Sequence, residues 1–156
     1  MPRATGATTA SSSSLQGTSF YFIDIIYISV GGRQLSIGQS VFQTAGTIID
    51  SGTVITRLFF GVHRDERRVS DDERVPDKYT NITIPTISFT FGGNLKVDLD
   101  LSEIFVAVNS TIACLAFAGN RDASDVGIFG NTQQKTLEVV YDVVGGKLGF
   151  DTSGCN

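Results

Sequence analysis

The chain has 156 residues, with 41% hydrophobic and only 18% charged, enough for one domain with a real core and too apolar for a disordered segment. Its net charge of −4 disfavours nucleic acid as a main partner, because phosphate contacts need clustered Lys and Arg. Seventeen glycines and eleven phenylalanines, among many Val, Ile and Thr, point to an all-β architecture.

Residues 1–19 are a low-complexity Ser/Thr/Ala segment with almost nothing to bury, expected to be a disordered lead-in. They lack the basic-then-apolar pattern of a signal peptide. Order is expected from Phe20. The run FYFIDIIYISV, Phe20 to Val30, reads as one long strand; it is too short to span a membrane and carries Asp24, so a soluble chain is expected. Gly31 and Gly32 read as a turn, and QLSI as a short strand after it. GTIID and VITRL, 46–50 and 54–58, read as strands flanking a Ser-Gly-Thr turn.

A dense run of mixed charge follows, within an atypical loop at 61–79, and it has no apolar period. Strands resume with NITI, TISFTFGG, LKVDLDL, IFVAV and TIACLAF. The alternation in SFTFGG and KVDLD predicts one wet face. The near-continuous apolar runs IFVAV and IACLAF are expected to be covered on both faces. VGIFGN leads into a short helix near Asn131 to Lys135, and LEVVYDV and KLGFD form a closing hairpin about Gly145-Gly146.

No metal is implied. The two cysteines, Cys114 and Cys155, lack ligand spacing, and the single His63 cannot complete a zinc site. A Ser–His or Cys–His mechanism would rest on that same His63, within the charged run.

The chemistry concentrates at Asp50. A carboxylate at the mouth of two apolar strands is costly unless it is hydrogen-bonded. Ser51, Gly52 and Thr53 can supply the donors: Gly52 lets backbone N–H groups approach, and Ser51 and Thr53 add hydroxyls. Such bonds to the ionised form would lower its pKa. Asp-Ser-Gly is also an ordinary turn sequence, but the flanking TII and VIT place this one between buried strands. Far downstream, Ile128-Phe129-Gly130 reads as a strand passing beside the Asp50 loop, with Gly130 admitting it without a side-chain clash.

Hydrophobic-hydrophobic-Asp-Ser-Gly-Thr followed at a distance by hydrophobic-hydrophobic-Gly resembles one lobe of a pepsin-type aspartic protease. The fuller resemblance is to the C-terminal lobe of the plant nepenthesin-like branch. It is carried in order by FYFIDIIYISVGGRQLSI, AGTIIDSGTVITRL, TIPTISFTFGG, CLAFAGN, DVGIFGNTQQKTLEVVYDVVGGKLGF and the terminal GC, from about Phe20 to Cys155. The resemblance implies a pepsin-like lobe over 20–156. In it Asp50 is the second catalytic aspartate and Ser51 and Gly52 complete its loop. Thr53 supports the partner loop across the lobe interface, and Ile128, Phe129 and Gly130 form the ψ-loop around the aspartate.

The implied activity is aspartic-type endopeptidase on polypeptide substrates, without cofactor or metal. Water is activated between two carboxylates that share a proton. Only one such loop motif occurs here, so the other aspartate is expected on an N-terminal lobe of the full-length protein. The alternatives are a catalytically inactive lobe serving as a binding or inhibitor-like module, and a homodimer pairing two copies of Asp50.

The resemblance also implies secretion or the secretory pathway, with the plastid a second compartment. The sequons Asn81-Ile82-Thr83 and Asn109-Ser110-Thr111 offer Asn81 and Asn109 as candidate glycosylation sites. The chain departs from the family in the charged loop, where the Cys expected to bridge to Cys114 is missing; Cys114 is therefore expected as a free, buried thiol.

Overall fold

Asp24 divides what the sequence presents as one strand. A computed structural model describes residues 7–9, 20–59, 83–109, 112–142 and 147–151. In chain order the strands begin with β1 (Ala7–Thr9), β2 (Tyr21–Ile23), β3 (Ile25–Val30), β4 (Arg33–Gln34), β5 (Thr47–Asp50), β6 (Thr56–Leu58) and β7 (Ile87–Phe91). They continue with β8 (Leu95–Asp98), β9 (Phe105–Ala107), β10 (Ala113–Leu115), β11 (Phe117–Gly119), β12 (Gly127–Gly130), β13 (Glu138–Asp142) and β14 (Lys147–Asp151). The described α-helices are α1 (Gln39–Gln43) and α2 (Leu101–Ile104); 3-10 turns cover Gly92–Asn94 and Asn131–Gln134.

β2 and β3 lie in different sheets. β2 closes a five-stranded sheet of order β11-β6-β12-β5-β2, while β3 sits inside a four-stranded sheet of order β4-β3-β7-β8. Asp24 is exposed at the junction, and its carbonyl accepts from Gly92 N at 2.8 Å, so the backbone changes sheets without losing its pairing. The apolar run at 111–117 divides in the same way. β10 pairs with β9 in a two-stranded ribbon, β11 joins the five-stranded sheet, and buried Ala116 lies between them.

The third sheet, β1-β14-β13, contains the expected closing hairpin, whose turn lies outside the described residues. It also holds β1, inside the segment expected to be disordered. Ala7–Thr9 pair antiparallel with Gly149 to Lys147, a backbone contact that requires no apolar side chain to bury. The charged loop at 61–79 lies outside the described residues.

Phenylalanines join the three larger sheets. Phe129 of β12 meets Phe89 and Phe91 of β7 edge-on at 5.4 and 5.5 Å, and Phe91 meets Phe150 of β14 at 5.2 Å. All four are at most 4% exposed. Quadrupole interactions favour such tilted and edge-to-face pairs. This core is the platform under Asp50, because Phe129 immediately precedes Gly130.

Several local expectations are corrected. The β3–β4 hairpin forms with Gly31 and Gly32 at φ 58 and 76, but β4 ends at Gln34, and of the rest of QLSI Leu35 adds one bond, its N donating to Ile28 O at 2.9 Å. Thr83 and Ile84 of NITI are not in a strand. β6 starts at Thr56, leaving Val54 and Ile55 in the turn. IFVAV and IACLAF are not covered on both faces: Ala113, Cys114 and Leu115 are all exposed. Among the described residues their ribbon has two strands. Cys114 is free, as expected, but exposed rather than buried. Helix α1 was not anticipated, since five residues with one buried side chain, Phe42, make no helical period.

Candidate active site

The Asp50 loop is built from the end of β5 to the start of β6. β12 threads between these two strands, parallel to β5 with Gly130 opposite Asp50, and antiparallel to β6 with Ile128 opposite Arg57. Carboxylate and glycine are thereby placed side by side by backbone pairing alone.

The carboxylate is half-buried and held at both oxygens. Gly52 N donates to Oδ1 at 2.8 Å, and Thr53 Oγ1 donates to Oδ2 at 2.7 Å. The Thr53 hydroxyl is the main influence holding the Asp50 pKa below the usual carboxylate value, followed by the Gly52 amide; partial burial opposes them. Ser51 contributes through its backbone carbonyl, which accepts from Asn131 Nδ2 at 3.2 Å. Thr53 O accepts from Asn131 N at 2.7 Å and Val54 O from Thr132 N at 2.9 Å, so the turn after β12 is laced to the turn after β5.

All seven residues expected in this constellation, Asp50, Ser51, Gly52, Thr53, Ile128, Phe129 and Gly130, lie in or beside this loop. Asn81 falls outside the described residues. Asn109 is exposed in the turn between β9 and β10, where its Oδ1 accepts from Ile112 N at 2.9 Å.

Three residues were not legible in the sequence. Tyr21 and Tyr141 bring their rings to 4.6 Å from strands of different sheets, and both are about two-fifths exposed. Burial raises the Tyr141 pKa first, with Tyr21 and the Asp50 charge adding. Gln133 lies fully buried below the loop and bonds to Thr56. Among the described residues no group of three or more His, Cys, Asp or Glu could hold a metal ion, and no helix is long and apolar enough to cross a membrane.

The family model described as xylanase inhibitor C-terminal matches residues 71–152, more than half of the chain. The chain belongs to that family. It is 42% identical over 156 residues to an aspartyl protease family protein of Arabidopsis thaliana, covering 90% of this chain and 33% of that protein. It is 45% identical over 151 residues to aspartyl protease AED1 of the same plant, covering 86% and 32%. It is also similar to aspartic proteinase nepenthesin-2 of Nepenthes gracilis, with 29% identity over 177 residues, 99% of this chain and 40% of that one.

The chain thus spans about a third of the length of the first two curated relatives. Its kin are plant aspartyl proteases of the nepenthesin type, and its fold is that of a pepsin-like C-terminal lobe.

Proposed function

We propose that this chain is the C-terminal half of an aspartic endopeptidase and that Asp50 is one of its two catalytic aspartates. The observation that carries this reading is the Asp50 loop: a carboxylate fixed by two donors, backed by a strand that crosses at Gly130.

The chemistry follows from that grip. Two carboxylates at close range cannot both ionise, so they share one proton. The donors on Asp50 favour its charged form, which biases the shared proton toward the partner aspartate of an N-terminal lobe. The charged member draws a proton from water as the water attacks the peptide carbonyl. The protonated member donates to the carbonyl oxygen. Thr53 and Gly52 hold the Asp50 oxygens in place throughout. Tyr21 lies opposite Ile49, the residue before Asp50, so the exposed Tyr21–Tyr141 pair offers an aromatic surface near the loop for a substrate side chain or the other lobe.

The test mixes the chain with the separately produced N-terminal lobe of a plant relative and an unfolded protein substrate in acid. Cleavage that is blocked by a transition-state inhibitor of aspartic proteases, and lost in Asp50→Asn, supports the reading. Cleavage that survives Asp50→Asn overturns it.

A second reading, a non-catalytic inhibitor-like module, is favoured by the xylanase-inhibitor description of the matching family. It predicts that the chain alone slows a xylanase in a dose-dependent way and that Asp50→Asn leaves this effect intact. Passage through the secretory pathway is the matching proposal for location, supported by the exposed Asn109 and its sequon. A glycosidase-sensitive mass increase on secretion, lost in Asn109→Gln and Asn81→Gln together, checks it.

A further inference from the structure

Gln133 sits in the 3-10 turn after β12 with no exposed surface. A buried amide side chain has two donor hydrogens and two acceptor lone pairs to satisfy. Here every one is used. Oε1 accepts from Thr56 N at 3.2 Å and from Thr56 Oγ1 at 2.6 Å. Nε2 donates to Glu103 O at 2.6 Å and to Ala116 O at 3.2 Å. One side chain thus ties together the start of β6, the end of α2 and the crossing residue between β10 and β11.

Thr56 is also fully buried, and it carries the connection onward. Its Oγ1 donates to Gln133 and accepts from Gly130 N at 2.9 Å. Gly130 faces Asp50 across the parallel pairing. The amide, the hydroxyl and the Gly130 N–H therefore fix the spacing between β12 and the strand that leaves the Asp50 loop. An apolar side chain of the same volume would fill the space but supply none of these directions. Buried polar networks that are fully satisfied specify one arrangement.

We propose that Gln133, acting through Thr56, is a positioning residue for Asp50, holding the loop so that Gly52 N and Thr53 Oγ1 stay on the carboxylate. The proposal takes its functional meaning from the catalytic reading of Asp50. Its test reads the carboxylate itself in the chain alone, without any hydrolysis, so the two can fail separately.

The experiment is a carboxyl-carbon NMR titration of Asp50 in the full chain, with urea unfolding measured in parallel. Thr56→Ser keeps the hydroxyl and is expected to titrate as the unmodified chain does. Thr56→Val and Gln133→Met remove the polar link at similar volume; both are expected to move the Asp50 midpoint up toward the ordinary aspartate value of about 3.9. If both variants lose urea resistance while the Asp50 midpoint stays put, Gln133 is merely structural and the proposal is overturned.

Should neither variant fold, the unmodified chain decides by reciprocity. Protonating Asp50 must then loosen the link, and the Gly130 amide must lose exchange protection relative to Phe129 as pH falls through the Asp50 midpoint. Unchanged relative protection overturns the proposal.

Discussion

Gly130 lies opposite Asp50 in the parallel β5–β12 pairing, and a Cβ placed on it would fall 2.6 Å from the carbonyl carbon of Ile55 and 2.9 Å from Thr56 N. Its φ of −83 suits any residue, so the constraint is space and not backbone conformation. These are backbone atoms of the Ile55–Thr56 peptide, which cannot swing away as a side chain would. Gly130→Ala is expected to cost about 1–3 kcal/mol, as overpacking does. Urea unfolding measures the loss. The Asp50 titration midpoint is expected to rise in the same variant, because the loop is displaced with Ile55.

Thr53 offers a cleaner test of the carboxylate. Its hydroxyl is the largest cause of the lowered Asp50 pKa. A folded-state pKa below the unfolded one contributes stability that is present above the unfolded value, near 3.9, and is lost as pH falls through the folded value. Thr53→Val removes the donor and is expected to raise the folded pKa. The variant therefore shows a weaker drop in stability between neutral and acid pH. Thr53→Ser is expected to restore the drop. Thermal unfolding at a series of pH values reads both.

Glu103 is a carboxylate with no exposed surface, and its partners account for that. Oε1 accepts from Thr136 N at 3.1 Å and Thr136 Oγ1 at 2.7 Å, while Oε2 accepts from Asp100 N at 2.7 Å. Asp100 Oδ1 accepts from Ser102 N at 2.9 Å, completing a capping box on α2. Glu103→Ala is expected to cost about 1.5–3 kcal/mol or more, the range for bonds to charged groups. Asp100→Ala is expected to cost about 1 kcal/mol. Because both sit in one box, the double variant is expected to lose less than the sum. Equilibrium unfolding of the three chains checks the arithmetic.

The exposed thiol of Cys114 is expected to react with an alkylating reagent in the native chain, without prior unfolding. Mass spectrometry on a Cys155→Ser background isolates the site. Labelling that requires denaturant would contradict the open β9–β10 ribbon.

The sequence disclosed local chemistry well and shared space poorly. Asp50, its three turn residues and Gly130 were legible because the carboxylate and its donors are neighbours in the chain, and because a glycine ending an apolar strand implies close approach. The split of β2 from β3 at Asp24 was not legible: both halves are extended and apolar, and period alone cannot say that a run serves two sheets. The same reason hid the division at Ala116. Cys114 was expected inside because its neighbours are apolar, yet apolar residues also occupy a two-stranded ribbon whose residues 113–115 are exposed. Gln133 carried no local signal, since its partners Thr56, Glu103 and Ala116 are all remote in sequence. Tyr21 and Tyr141 meet only through tertiary folding.

The pairing that frames Asp50 has a cost in time. Asn131 reaches back to Ser51 across 80 residues of chain, and the β5–β12 strands are parallel. Contacts of such separation close slowly, because a long loop must be drawn together before any reward arrives. During synthesis, a nascent chain that has not yet released β12 cannot hold the Asp50 loop in its final form. The Asp50 loop is therefore among the last features to mature, after the hairpins β3–β4 and β7–β8 can already have formed from neighbouring residues.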